Sequence, residues 1–300
     1  MRHVLLFAVI MLAACAPRMA APVQRIAVIS AFEPELAVLA GKVENRKEET
    51  LNGVTFITGK LGGKDVVLFL SGVSMVNAAM TTQMALDHFP ISRIVVSGVA
   101  GGADPALDVG DVVAPERWGQ YLESVMARKT AKGFEVGPGL IEGGEAFANL
   151  GMIHTRIVQA PRAGGPPQRR FWFEADAAML AVARDAAAKV ALERCAASQC
   201  LKADPKVIVG GSGVSGPAFV DNAELRSWAF ATFKAQVLDM ESAAIAHVAY
   251  SNEKPFIAFR SLSDLAGGDP GENQWATFVQ LASGNSAAVV LAFLEALPAT

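Results

Sequence analysis

The chain has 300 residues and a formal net charge of −3, from 26 Lys and Arg against 29 Asp and Glu. Hydrophobic residues make up 52% and charged residues 18%, enough apolar surface for a large core and too much for a disordered chain. No block of basic residues interrupts it, which argues against recruitment to a nucleic-acid polymer or an anionic membrane surface by charge.

Met1-Arg2-His3 gives a short positive start, and Val4 to Ala14 is an apolar run. It has the length of a signal peptide and falls short of the roughly 20 residues that a spanning helix needs. The run ends in Leu12-Ala13-Ala14-Cys15, which resembles the bacterial lipobox. Residues 1–14 are therefore expected to be a lipoprotein signal peptide, Cys15 the lipidated residue, 15–24 a tether and 25–300 one domain. A lipid on Cys15 would hold the protein to a bacterial envelope membrane. Ala16 in place of Asp resembles the outer-membrane sorting signal and implies that membrane's periplasmic side. An ordinary signal cleaved near Ala20-Ala21 is the alternative.

Beyond the tether, Gln24 to Ser30 is a β-branched apolar run, and Glu33 to Leu39 has helical spacing. Val54 to Thr58 and Asp65 to Leu70 read as strands hinged at Gly62-Gly63, and Ser74 to His88 as an amphipathic helix. Arg93 to Ser97 is a buried strand running into a glycine-rich turn, Gly98 to Gly102. From Trp118 to Arg170 the apolar periodicity fades, which predicts a long excursion from the sheet rather than a second domain. Further strands are expected at Val207–Gly210, Ala235–Leu238 and Phe256–Ser261, with helices at Asp176–Leu192, Glu224–Phe233, Met240–Tyr250 and Gln274–Leu297. Strands alternating with helices, several apolar throughout, argue an α/β domain with a mostly parallel sheet covered on both faces. An envelope location permits a disulfide between Cys195 and Cys200, against the alternative of two free thiols. No Cys or His cluster completes a metal site, and no cofactor is implied.

Three separated segments carry chemistry. The first is Ile26 to Glu35, ending Ala31-Phe32-Glu33-Pro34-Glu35. The second is Ser97-Gly98-Val99-Ala100-Gly101-Gly102 with Leu107-Asp108-Val109-Gly110-Asp111-Val112-Val113. The third is Asp239-Met240-Glu241-Ser242-Ala243-Ala244 with Phe259-Arg260-Ser261-Leu262-Ser263-Asp264. Singly, Glu35 and Glu241 have an ordinary account as first-turn helix acids and Asp264 as a loop acid, whereas Arg260 at the end of an apolar strand wants a partner.

Together and in order, these segments resemble the nucleoside phosphorylase superfamily, and in particular its 5′-methylthioadenosine/S-adenosylhomocysteine nucleosidases. The resemblance implies a single phosphorylase/hydrolase-like domain with a mixed, mostly parallel sheet, an N-glycosidic bond as target and adenine as product. It implies Asp264 as the acid at purine N7, oriented by Ser263, and Glu35 as the base for water, with Arg260 helping to hold that water. Glu241 would accept the ribose hydroxyls, Met240 pack on the sugar, and Phe219 and Val220 meet the base. Phe32, Val73 and Trp275 would line the apolar 5′ pocket, which a homodimer partner closes in this family. His247 reads as structural.

Phosphorylases of the superfamily hold phosphate with arginines, one in the first turn and one ahead of the glycine turn. Here the first turn is acidic, and Val95 and Val96 stand before the second. Phosphate facing Glu33 and Glu35 would be repelled, so water is the expected nucleophile. A phosphate-dependent phosphorylase or a non-catalytic nucleoside-binding or storage protein are the alternatives. Two departures from the nucleosidase pattern stand out: Val99 where the family places Ser or Thr, with Ser97 the nearest replacement hydroxyl, and the length of the excursion.

Overall fold

The computed structural model describes residues 22–141, 147–196 and 199–298. The signal segment and Cys15 lie outside the described residues. Element β1 (Arg25–Ser30) is followed by α1 (Glu33–Ala40), β2 (Glu44–Leu51), β3 (Val54–Leu61), β4 (Lys64–Leu70), α2 (Met75–His88) and β5 (Ile91–Gly102). Then come β6 (Val112–Ala114), β7 (Arg117–Gln120), β8 (Ser124–Met126), β9 (Arg128–Thr130), β10 (Gly133–Glu135), β11 (Ile153–Thr155), β12 (Val158–Arg162), β13 (Gly165–Arg170) and β14 (Trp172–Glu174). The remainder is α3 (Ala177–Ala187), β15 (Cys195–Ala196), β16 (Gln199–Cys200), β17 (Val207–Val209), β18 (Ser212–Ser215), α4 (Ala223–Phe233), β19 (Ala235–Asp239), α5 (Ser242–Ser251), β20 (Phe256–Asp264) and α6 (Trp275–Ala296).

Twelve strands form one mixed sheet, ordered β14-β7-β18-β19-β5-β1-β4-β3-β2, with β20 on β5 and β6, and β17 on β6. Its centre is parallel, β4–β1–β5–β20. The β3–β4 turn uses positive φ at both Gly62 and Gly63, as tight hairpins require. The pleat of β20 sorts its residues between two helical layers. Phe259 packs on Phe293 of α6, ring centroids 5.1 Å apart, while the next residue, Arg260, donates to Ser242 of α5. Alternate side chains of a strand leave opposite faces, so α6 and α5 cover opposite sides. Helix α6 is apolar enough to span a membrane by composition, yet it is a core helix: Val289, Val290, Phe293 and Leu294 are wholly buried.

Several boundaries differ from the sequence expectation. Gly98 to Gly102 is not a turn: β5 runs straight through it. These glycines serve close approach rather than unusual φ, since a Cβ at Gly98 would overlap Arg260 Nη1 and Glu35 Oε1. Strand β2, Glu-Asn-Arg-Lys-Glu-Glu-Thr-Leu, is almost wholly exposed and has no apolar alternation to announce it; its charges and a register shift near Asn45 suit a sheet edge that must not recruit another strand. Helix α3 stops early, at Ala187, and farther on Asn285 of α6 binds both Glu193 N–H and C=O. Helix α5 starts two residues late, because the Asp239 carboxylate accepts from Ser242 N at 3.2 Å.

The excursion is narrower than 118–170. Trp118 belongs to β7 and pairs with Phe173 of β14, inside the main sheet. The chain between these strands folds into small antiparallel pairs, β8–β11, β9–β10 and β12–β13. It is fastened by an aromatic cluster of Tyr121, Phe147, Phe171, Trp228 and Phe233. His247 lies stacked on Phe173, centroids 4.4 Å apart.

Candidate active site

A cavity of about 420 Å³ opens at the ends of β1, β5, β19 and β20, lined in part by Ala31, Val99, Ala100, Gly101, Ala218, Leu238 and Ala266. Glu35, Asp264, Glu241, Met240, Phe219, Val220, Ser263, Phe32, Val73 and Trp275 all reach its wall. These ten come from segments scattered over the whole chain. Arg260 is the exception: it lies beneath the wall, completely buried.

Glu35 is the third residue of α1 and 1% exposed. Its Oε2 reaches back to accept from Ala31 N (2.6 Å) and Phe32 N (3.4 Å), the side-chain half of a capping box. Its Oε1 accepts from Val99 N at 2.7 Å and from Arg260 Nη1 at 3.5 Å. Burial pushes the Glu35 carboxyl above its ordinary range, and Arg260 and the three backbone N–H groups oppose that rise.

Arg260 pairs in register with Gly98 across β20 and β5, and the missing Cβ lets the guanidinium cross to Glu35. Its Nη2 meets Asp239 Oδ2 at 2.8 Å and Glu241 Oε2 at 3.2 Å. Nε donates to Ser242 Oγ (3.0 Å), and Nη1 also to the Val99 carbonyl (3.3 Å). One cation thus serves three buried carboxylates, so the cluster keeps a deficit of positive charge. Burial and the neighbouring carboxylates Asp239 and Glu35 push Glu241 up to about 7, against the pull of Arg260 and the Ser74 N–H. That N–H donates to Glu241 Oε1 at 2.8 Å, from a residue held at φ 78°.

Across the cavity, a register shift between Leu262 and Asp264 turns Asp264 toward Gly101, where a Cβ would stand 3.1 Å from Asp264 Oδ1. Ser263 Oγ donates to Asp264 Oδ2 (2.9 Å) and Ala266 N to Oδ1 (2.9 Å). Burial raises the Asp264 pKa, and no cation contributes to lowering it. Phe219 and Trp275 meet edge to face at the mouth, centroids 6.3 Å apart, with Phe219 57%, Val73 46% and Trp275 37% exposed.

Two expectations need correcting. Arg260 has no free face toward the cavity to hold water, because its donors are spent on protein groups. Ser97 does not replace the hydroxyl missing at Val99: it is buried against α6, its Oγ 3.1 Å from Ser286 Oγ. Sequence reasoning missed the roles of Asp239 and Ser215. Asp239 caps α5, shares Arg260 and takes a short hydrogen bond from Ser215 Oγ. Its place just before a helix start was the available signal. Cys195 and Cys200 are joined by a disulfide across the β15–β16 pair, away from the cavity.

Residues 25–295 match the family model of the phosphorylase superfamily. The chain is 31% identical over 272 residues to a 5′-methylthioadenosine/S-adenosylhomocysteine nucleosidase of Geobacillus kaustophilus, covering 90% of this chain and 97% of that protein. Among solved structures it resembles the nucleosidase of the same name from Neisseria meningitidis in complex with methylthio-immucillin-A, at 27% identity and TM-score 0.67, covering 91% of this chain and 99% of the other. A nucleosidase of that name from Colwellia psychrerythraea, in complex with adenine, matches at 28% identity and TM-score 0.67 over 92% and 96%.

Proposed function

Since the chain belongs to the phosphorylase superfamily, we propose that it hydrolyses the N-glycosidic bond of 5′-methylthioadenosine or S-adenosylhomocysteine and releases adenine. The observation that carries this reading is the charge of the cavity wall. Glu35, Asp239, Glu241 and Asp264 line it, and among the described residues no Lys, Arg or His does. A phosphate dianion would meet only like charge there, whereas a sugar with oxocarbenium character is stabilised by it.

In this reading Asp264 enters protonated and gives its proton to purine N7 as the C–N bond breaks, so the base leaves neutral. Glu35 takes a proton from the water whose oxygen bonds to the anomeric carbon. Glu241 accepts from the ribose 2′ and 3′ hydroxyls, Met240 packs on the sugar, and Phe219 and Val220 contact the base. Phe32, Val73 and Trp275 surround the 5′ substituent. Arg260 is a positioning residue, holding Glu35 and Glu241 in place and opposing the rise that burial imposes on both carboxyls. The test is adenine release from methylthioadenosine with and without phosphate, beside Asp264→Asn. Phosphate-independent release that falls by about 10²–10⁴ in the variant supports the assignment; release only with phosphate overturns it.

The protein is further read as a homodimer. The exposed apolar residues Val73, Phe219 and Trp275 at the mouth, with Val76 and Met80 on α2, form a surface for a second copy. Light scattering showing only monomer would count against this. Lipidation at Cys15, with residence on the periplasmic side of an outer membrane, is read from sequence alone; a mature N-terminus without a lipid mass at Cys15 overturns it.

A further inference from the structure

Between Asp264 and Trp275 the chain runs Leu265-Ala266-Gly267-Gly268-Asp269-Pro270-Gly271-Glu272-Asn273-Gln274. Ala266, Gly267 and Gly271 all hold positive φ, and the loop doubles back on Asp264 and on Leu265 beside it. Asp269 Oδ2 accepts from Leu265 N at 3.0 Å, while its Oδ1 is buried with no hydrogen-bond partner. Asn273 Nδ2 donates to Asp264 Oδ1 at 3.5 Å and to Asp221 Oδ1 at 3.1 Å. The Asn273 Oδ1 accepts from Trp275 N at 2.9 Å, which ties the loop to the start of α6. Asn222 N donates to the Ala266 carbonyl at 3.1 Å, and Gly267 packs so closely on this segment that a Cβ would overlap its backbone.

We propose that Asp269 and Asn273 are positioning residues for Asp264 that act on it in opposite senses, Asp269 by holding a carboxylate on the N–H of the adjoining residue, Leu265, and Asn273 by donating an amide hydrogen to Asp264 Oδ1. A neighbouring like charge disfavours the ionised carboxylate, and a hydrogen bond to that carboxylate favours it. Asp269 therefore keeps the proton on Asp264, and Asn273 eases its departure to the base. A partnerless buried carboxylate oxygen is costly, and a loop that needed only a turn-closing acceptor for Leu265 N would be served by a neutral side chain.

The charged groups around Asp264 are few. On its own loop there are Asp269 and the exposed Glu272. From the segment before α4 comes Asp221, reached through Asn273. From α4 comes Arg226, packed on Gly268 with its Nε committed to the Gly102 carbonyl. Across the cavity stand Glu35, Asp239 and Glu241 with Arg260, whose donors are spent on those three carboxylates, Ser242 and the Val99 carbonyl.

The inference rests on reading Asp264 as the acid, and the experiment separates the two. The pH dependence of kcat for adenine release is measured for the wild type, Asp269→Asn, Asn273→Ala and Asp264→Asn. An acid must be protonated to act, so the rate falls on the alkaline side as it ionises. Asp269→Asn keeps an acceptor for Leu265 N and removes only charge. Its alkaline limb is expected to move to lower pH by about half a unit, about threefold slower turnover above the limb. Asn273→Ala is expected to move the limb to higher pH and to raise KM through the freed Trp275 N–H. Asn273→Asp, which retains that acceptor, supplies the same upward shift should the alanine variant not fold. An Asp269→Asn profile that superimposes on the wild type, or shifts of the same sign at both positions, overturns the proposal. A limb that persists in the residual activity of Asp264→Asn overturns the acid assignment instead.

Discussion

The two ends of the cavity hold their carboxylates by opposite means. At the end floored by β5 and α5, Glu35 in α1, Asp239 at the end of β19 and Glu241 just ahead of α5 share the buried guanidinium of Arg260. At the other end Asp264 stands at the mouth of a glycine-rich loop, bonded to a hydroxyl, a backbone N–H and an amide, with no cation. Groups that work as anions are given a counter-charge in a fixed place. The group proposed as a neutral donor is buried without one, at the last residue of β20 where the chain enters the loop.

The largest effect should come from filling the one space the rigid end depends on. In Gly98→Ala the added Cβ would occupy the positions of Arg260 Nη1 and Glu35 Oε1, breaking a buried ion pair. Unfolding in denaturant should show a loss of about 3–5 kcal/mol, with adenine release abolished; a variant of wild-type stability would mean that the cluster has slack.

A second consequence of one cation for three carboxylates is that stability runs against the usual direction with pH. Burial, with the neighbouring carboxylates, pushes the Glu241 carboxyl up to about 7 in the folded state from its ordinary 4.5. The folded state therefore holds its proton longer than the unfolded chain does. The stability this contributes is complete below pH 4.5 and is lost as pH rises to about 7, on the order of 3 kcal/mol if the group acted alone. Glu35 and Asp264 are raised as well, so they add to the same slope. Denaturation curves between those two pH values should show the wild type weakening and Glu241→Gln weakening less. Equal slopes would place the excess charge elsewhere.

The rigid end was the more legible of the two in sequence. Ile26 to Ser30 and Arg93 to Ser97 are short β-branched runs whose burial can be read from composition, and an arginine closing such a strand announces a buried partner. Glu35 and Glu241 could be named only through the resemblance of their segments to the nucleosidase motifs, since singly each reads as a first-turn helix acid. What could not be read was how Arg260 is divided among three acids, since that depends on the register placing it opposite Gly98. Nor could Asp239 be told from any other helix cap. Strand β2, with charges on both faces, carries none of the periodicity that marks a strand. At the loop end only Asp264 and Ser263 were visible. Asp269 and Asn273 act through a backbone path of glycines, and such a path leaves no pattern in the order of residues.

The loop end also has a brace behind it. Leu201, which follows the disulfide-closed pair β15–β16, packs with Val109, Phe278 and Leu281, with Leu265 against them. Reducing the disulfide, or Cys195→Ser with Cys200→Ser, should lower stability by about 2 kcal/mol for so short a loop. If the two ends are mechanically separate, KM should rise modestly while the pH slope from Glu241 stays unchanged. A change in that slope would join the ends into one unit.

The smallest change addresses the rigid end's own gap. Glu35 has about four lone-pair positions, and four donors already reach it: Ala31 N and Val99 N closely, Phe32 N and Arg260 Nη1 at 3.4 and 3.5 Å. A water to be activated must take over one of the two long contacts, and Val99 beside it offers no hydroxyl as a second anchor. Val99→Thr keeps the shape of the side chain and adds that anchor where the cavity can solvate it. A neutral hydrogen bond is worth about 0.5–1.5 kcal/mol, so kcat should rise by no more than about tenfold, with KM and the alkaline limb unmoved. A rise would mean that positioning the water, rather than charging Glu35, limits this end of the site. An unchanged kcat would mean that displacing a long backbone contact is already easy, and that the rate is decided at the loop end, by Asp264.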